Sequence, residues 1–416
     1  MSQLRFSRFG LLLAGVVIIA AACGDAETTA DPVAATVGPA PAPTTPDQTT
    51  IPSPSRLPAV GALPTGPSAL DSMTNSDFPD PLVDPQEVRS GGPPPDGIPP
   101  IEDPQFLPVI DHLDLLPLDE PVVALEVDGD ARAYPVRIMI WHEIVNDTVG
   151  GVPVSVTYCP LCNSAVSYVR EIDGVETTFG TSGRLYASAL VMYDRATESL
   201  WTHFDGRAVI GVLTGTELEV LASPLMSWES FVSTYPDGQV LDETRTGFDR
   251  RYGANPYVGY DDPDARPFLF AGDVDARERA MQRVIGIEIE DAALALSLAA
   301  VSGSGPSATA VAVGDADLVV LWEPGQSTAL ESRSIDGGRD VGTTGVFRPA
   351  TEDGPLTFEI DDAAIRDIET GSTWTSTGVA VDGPLAGTTL ERVAHLDTFW
   401  FAWSTYQPDT ELLTAP

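Results

Sequence analysis

Beyond Pro100 the chain alternates between two periods of apolar residues. "VVALEV" and "ARAYPV" step between apolar and polar positions on either side of Asp128-Gly129, which predicts two strands joined by a tight turn. "RIMIWHEIVNDTVGG" places Ile138, Trp141 and Val145 at helical spacing and predicts a helix stopped by Gly150 and Gly151. "VPVSVTY" and "AVSYVREI" read as strands flanking "CPLCN", and "GVETTFG", "SALVMYDR", "SLWTHF" and "GTELEVLA" continue the short-strand pattern. "SWESFVSTYP" predicts a second helix, capped by Ser227, striped by Trp228, Phe231 and Val232, and closed by Pro236.

The pattern repeats. "GTELEVLASPLMSWESFVSTYPDGQVL" from Gly215 matches "GTTLERVAHLDTFWFAWSTYQPDTELL" from Gly387, pairing Trp228 with Trp400, Phe231 with Trp403 and Pro236 with Pro408. Upstream, "DRATESLW" ending at Trp201 parallels "DIETGSTW" ending at Trp374, and "VTYCPLCNSAV" parallels "VVLWEPGQSTAL". The expected fold is α+β and sheet-rich: two degenerate copies of a mixed β unit with few short helices. The first copy spans 105–260 and the second 272–416, joined by "GANPYVGYDDPDARP".

Composition adds an address. Arg5 and Arg8 precede an apolar run from Gly10 to Ala22, too short to span a bilayer, and predict a signal peptide over 1–22. Ala20-Ala21-Ala22 before Cys23 predicts lipidation of that cysteine and an extracytoplasmic, membrane-anchored protein; the alternative is plain secretion. Residues 23–100, rich in Pro, Ala, Thr and Gly, read as a disordered tether. The chain holds 61 acidic residues against 22 basic ones, a net charge of −39. That balance excludes a nucleic-acid partner, leaving the membrane, reached through the lipid, and an unidentified protein or small molecule.

With Cys23 assigned to lipid, the chemistry rests on Cys159 and Cys162. A C-x-x-C turn either clamps a metal or closes a disulfide, and spacing does not choose. The strand-like run after Cys162 does not suit a thiol pair at a helix N-terminus. His142 is the expected third ligand and His203 a weaker fourth, and this donor set suits Cu, Zn or Fe. Met139 and Met192 read as core. A histidine activating one of the cysteines for nucleophilic catalysis is a further alternative. Arg132, Arg184 and Arg195 are scarce cations that bind an anion or pair with nearby carboxylates. "GxSxG", P-loop, "HExxH" and dinucleotide motifs are absent from the sequence.

The segments "ARAYPVRIMIWHEIVNDTVGGVPVSVTYCPLCNSAV" and "TFGTSGRLYASALVMYDRATESLWTHFDGRAVIG" resemble the DUF3179 family, a bacterial group of often exported proteins, and the similarity runs from Leu113 to Leu413. The resemblance implies no particular reaction. It marks Trp141, His142, Glu143, Asn146, Asp147, Tyr158, Cys159, Pro160, Cys162, Gly183, Tyr186, Tyr193, Asp194, Arg195 and Trp201 as matching the family's characteristic segments. His203 stands where members of the family often carry glutamine.

Overall fold

A computed structural model describes residues 62–415. The signal peptide, Cys23 and the first part of the tether lie outside the described residues. Where the sequence alternates, the chain pairs: Pro121–Val127 runs antiparallel to Asp130–Pro135. The turn between them puts Asp128 and Gly129 in the left-handed region, at φ 50° and 85°, as such two-residue turns require.

The next element departs from expectation. Helix α1 spans only Val136–His142, and Ile144–Val149 is a strand paired antiparallel with Val152–Cys159. Helical spacing was a weaker signal here than β-branching: Ile144, Val145, Thr148 and Val149 favour a pleated surface. Glu143 makes the break, taking φ 60°.

Two similarly arranged sheet clusters follow. In the first, the strand order Leu225–Ser227, Pro121–Val127, Asp130–Pro135, Gln239–Leu241 includes one parallel pair at its end. In the second, His395–Phe399, Arg283–Ile289, Ala292–Ser297 and Glu411–Leu413 repeat that order and that parallel pair. Ile144–Val149, Val152–Cys159 and Ser164–Val169 make a meander in the first cluster, as Ser307–Val313, Ala316–Glu323 and Thr343–Phe347 do in the second. The expected match of "CPLCN" to "EPGQS" holds only for the outgoing strand. The return strand of the second cluster begins at Thr343, after a longer excursion.

Helices occupy matching positions. Helix α2, Trp228–Thr234, is capped by Ser227, whose hydroxyl accepts from Ser230 N at 3.1 Å. Helix α3 is the short Leu298–Val301, and helix α4, Trp400–Tyr406, presents Trp400 and Trp403 to the interior. Trp201 and Trp374 are held alike: each indole donates to a buried aspartate, Asp194 at 3.0 Å and Asp367 at 2.8 Å. Thr197 and Thr370 donate to the same carboxylates through backbone and hydroxyl.

The clusters share one core, in which Trp400, Phe401 and Trp403 pack with Tyr158, Tyr168 and Trp201. They also join by hydrogen bonds. Phe399 N and Thr398 Oγ1 donate to the Cys162 carbonyl at 3.1 and 2.7 Å, and Ser227 N donates to Thr343 Oγ1 at 3.0 Å.

The tether expected to reach residue 100 ends earlier. Ala69 and Val88 are buried, Arg89–Ser90 pairs with Arg184–Leu185, and Gly91 N and Asp96 N donate to Gly183 O and Thr181 O, each at 2.8 Å. Residues rich in proline and glycine lack a core of their own, yet an extended strap needs only the edge of a neighbouring sheet. Among the described residues, no helix is long and apolar enough to cross a membrane.

Candidate functional site

The cysteines sit on the hairpin between Val152–Cys159 and Ser164–Val169, where Cys159 lies opposite Ser164. Asn163, at φ 52°, closes the four-residue turn. Both thiols are free and buried, but their surroundings differ. Burial pushes the Cys159 thiol up. The Cys162 side chain beside it and the backbone N–H groups of Leu190, Cys162 and Leu161 outweigh that, and hold it below the ordinary thiol range. Cys162 is driven well above its usual value by burial and by the neighbouring sulfur. The pair is therefore asymmetric, with Cys159 the sulfur that ionises first.

A chain of hydrogen bonds leaves Cys162. Its sulfur lies 3.0 Å from Ser164 Oγ, which is 2.8 Å from His203 Nε2; His203 Nδ1 is 2.9 Å from Thr157 Oγ1, and that hydroxyl donates to Val166 O at 2.6 Å. The last bond uses the only Thr157 proton, so His203 Nδ1–H must donate to Thr157 and Nε2 must accept from Ser164. Ser164 is left to accept from the Cys162 thiol. Burial lowers the His203 pKa to about 3, so the imidazole is neutral, as this arrangement requires.

His142 belongs to another network. Its Nδ1 donates to Pro99 O at 2.7 Å and its Nε2 accepts from Tyr252 Oη at 2.7 Å. The expected ligands Cys159, Cys162, His142 and His203 are thus not brought together. Among the described residues no group of three or more His, Cys, Asp or Glu side chains is placed to hold a metal ion.

Glu143 was legible by resemblance, and its setting is unusual. It is 7% exposed, and its backbone is fixed at both ends: N–H to Met139 O at 2.7 Å, and C=O accepting from Tyr158 N at 2.8 Å. Its carboxyl has no hydrogen-bond or ion-pair partner among the described residues. Burial, and then the charge on Cys159, push its pKa well above the carboxylate range, so it is a neutral acid. It lines a chamber of about 280 Å³ with Leu161, Arg184, Leu190, Tyr257 and Tyr260. Two of those residues, Leu161 and Leu190, also supply amides that act on Cys159. A larger depression of about 470 Å³ beside Tyr186 and Ser188 includes neither cysteine nor Glu143.

The model of the family described as "Protein of unknown function (DUF3179)" matches residues 95–410. The chain belongs to the DUF3179 family. No curated protein and no solved structure matches it.

Most of the residues marked by the DUF3179 resemblance hold the fold. Asp147 takes bonds from Arg132 at 2.7 Å and Tyr134 at 2.6 Å; Asn146 is bonded by Ser155 and Phe179; Tyr158 Oη donates to Asn163. Arg195 pairs with Asp96 and Glu102, and Tyr193 donates to Asp96. Tyr186 packs edge-on against Tyr406, and Trp201 against Phe179. Trp141 is half-buried, its indole N–H without a partner among the described residues. What the sequence did not show is the set of amides around Cys159, the Ser164–His203–Thr157 chain, and the two chamber tyrosines, which lie in the stretch read as a joint.

Proposed function

We propose that this DUF3179 protein is a thiol-dependent oxidoreductase in which Cys159 attacks and Cys162 resolves. The observation that supports the reading is the asymmetry of the pair: three backbone amides hold the ionisation of one sulfur down, while burial and the neighbouring sulfur push the other up. The substrate class is a small organic disulfide entering the chamber. The Cys159 thiolate attacks one substrate sulfur, the S–S bond breaks, and the first half leaves as a thiolate. Cys162 then attacks the Cys159 sulfur of the mixed disulfide; the second half leaves and takes the Cys162 proton. The substrate gains two electrons, the protein ends with a Cys159–Cys162 disulfide, and a dithiol donor returns the electrons. The same amides that stabilise the thiolate occupy the lone pairs a metal would use, which favours this chemistry over a metal clamp. We also read the two sheet clusters as copies of one ancestral unit, and the chain as exported and anchored through Cys23. Equal aqueous partition of wild type and Cys23→Ala in detergent would remove the anchor.

The test is the pH dependence of alkylation, mapped by mass on each cysteine. Cys159 is expected to react with a midpoint below the ordinary value of about 8.5, with Cys162 protected, and Cys162→Ser to accumulate a mixed disulfide at Cys159. A Cys159 midpoint at or above that value, or thiols blocked by stoichiometric copper, zinc or iron, would overturn the reading.

A further inference from the structure

The chamber beside the thiols carries information about what it holds, and this information does not depend on the thiol chemistry. Its lining is mostly apolar: Pro93, Ile98, Leu161, Leu185, Leu190 and Phe268 contribute walls. Polar residues interrupt them: Thr181, Tyr257 and Tyr260 bring hydroxyls, Glu143 an acid and Arg184 a cation. Glu143 presents a carboxyl that has no hydrogen-bond or ion-pair partner among the described residues, and burial pushes its pKa well above the carboxylate range. Arg184 is a cation that forms no ion pair among the described residues; its guanidinium donates only to Leu70 O, at 3.2 Å. Other described arginines, Arg245 and Arg392 among them, also lack a carboxylate partner; what sets Arg184 apart is its place in the chamber lining. Arg132 and Arg195, the other two cations singled out in the sequence, each pair with two carboxylates. Arg184 lines the chamber instead, and the one acid that shares the lining is neutral.

A cation kept free of carboxylates at an apolar chamber selects an anion attached to an apolar body. A neutral acid adds one donor for an oxygen and no repelling charge. We propose that the chamber is a binding site for a small, mainly apolar monoanion, such as a medium-chain carboxylate, with its charged end at Arg184. At about 280 Å³ it has room for one compact molecule.

Calorimetric titration of the full chain with octanoate, and separately with octan-1-ol, tests the site. Octanoate is expected to bind at one site, at least about tenfold more tightly than the alcohol, and to weaken by a similar factor in Arg184→Gln. Wild-type affinity is also expected to fall with added salt, a readout that does not depend on the variant folding. Equal binding of acid and alcohol, insensitivity to both salt and Arg184→Gln, or no binding of octanoate would each overturn the proposal. Because the readout is heat of binding and not alkylation, inert cysteines would leave this result standing, and an empty chamber would leave the alkylation result standing.

Discussion

At the scale of single residues, His203 shows how a buried polar chain is kept consistent. A glutamine there would accept from Ser164 through its carbonyl and donate to Thr157 through its amide, reproducing the direction of every bond without a group that titrates. The role such a residue fills is to orient Ser164. The consequence can be measured. The unfolded chain protonates His203 near 6.5, whereas the native one does so near 3. Between those values the unfolded state binds the extra proton, so the stability this histidine contributes is lost as pH falls from about 6.5 toward 3, at a limit of about 1.4 kcal/mol per pH unit. His203→Gln is expected to flatten that slope in denaturant titrations while leaving stability at pH 7.5 close to wild type. Glu143 has the opposite sign. Its native pKa is raised, so the unfolded state ionises first and stability is lost as pH rises above about 4.5. Glu143→Gln is expected to be more stable than wild type at pH 7, with the difference vanishing near pH 4; an unchanged difference across that range would contradict the neutral acid.

Elements were legible in the sequence in proportion to how local their causes are. The Asp128-Gly129 hairpin and the Ser227-capped helix needed only turn chemistry and spacing, and helix α4 was legible through its match to that second helix. Helix α1 was read too long because Trp141 and Val145 share a helical face on paper, and only pairing of Ile144–Val149 with Val152–Cys159 decides otherwise. The cysteine turn was legible as a pair, but the donors that distinguish its sulfurs are backbone amides, and one of them, Leu190, comes from a distant strand. Composition alone made the strap from residue 90 to 99 look free, yet Gly183 binds it closely. A Cβ there would lie 2.0 Å from Pro93 O, at a φ of +71°. Gly183→Ala is therefore expected to cost about 1–3 kcal/mol and to expose the strap to limited proteolysis before the rest of the chain.

For the whole molecule, the two clusters should melt as one. Arg283 and Asp397 form a buried pair at 2.6 Å in the second cluster, and Asp397 also accepts from Asn163 of the cysteine turn, at 3.4 Å. Asp397→Asn leaves the Arg283 charge buried and is expected to cost about 3–5 kcal/mol, shifting a single calorimetric transition downward. Two resolved transitions in the wild type would show that the shared core does not couple them. The carbonyl of Cys162 accepts from Thr398 and Phe399, and this bond constrains how the sequence can drift. The half without cysteines is free to vary in its reactive side chains, but not in the length of its last strand. A one-residue deletion near His395 would touch no residue of the site and would still unseat the turn. Selection on the chemistry of one half is thereby recorded as register in the other.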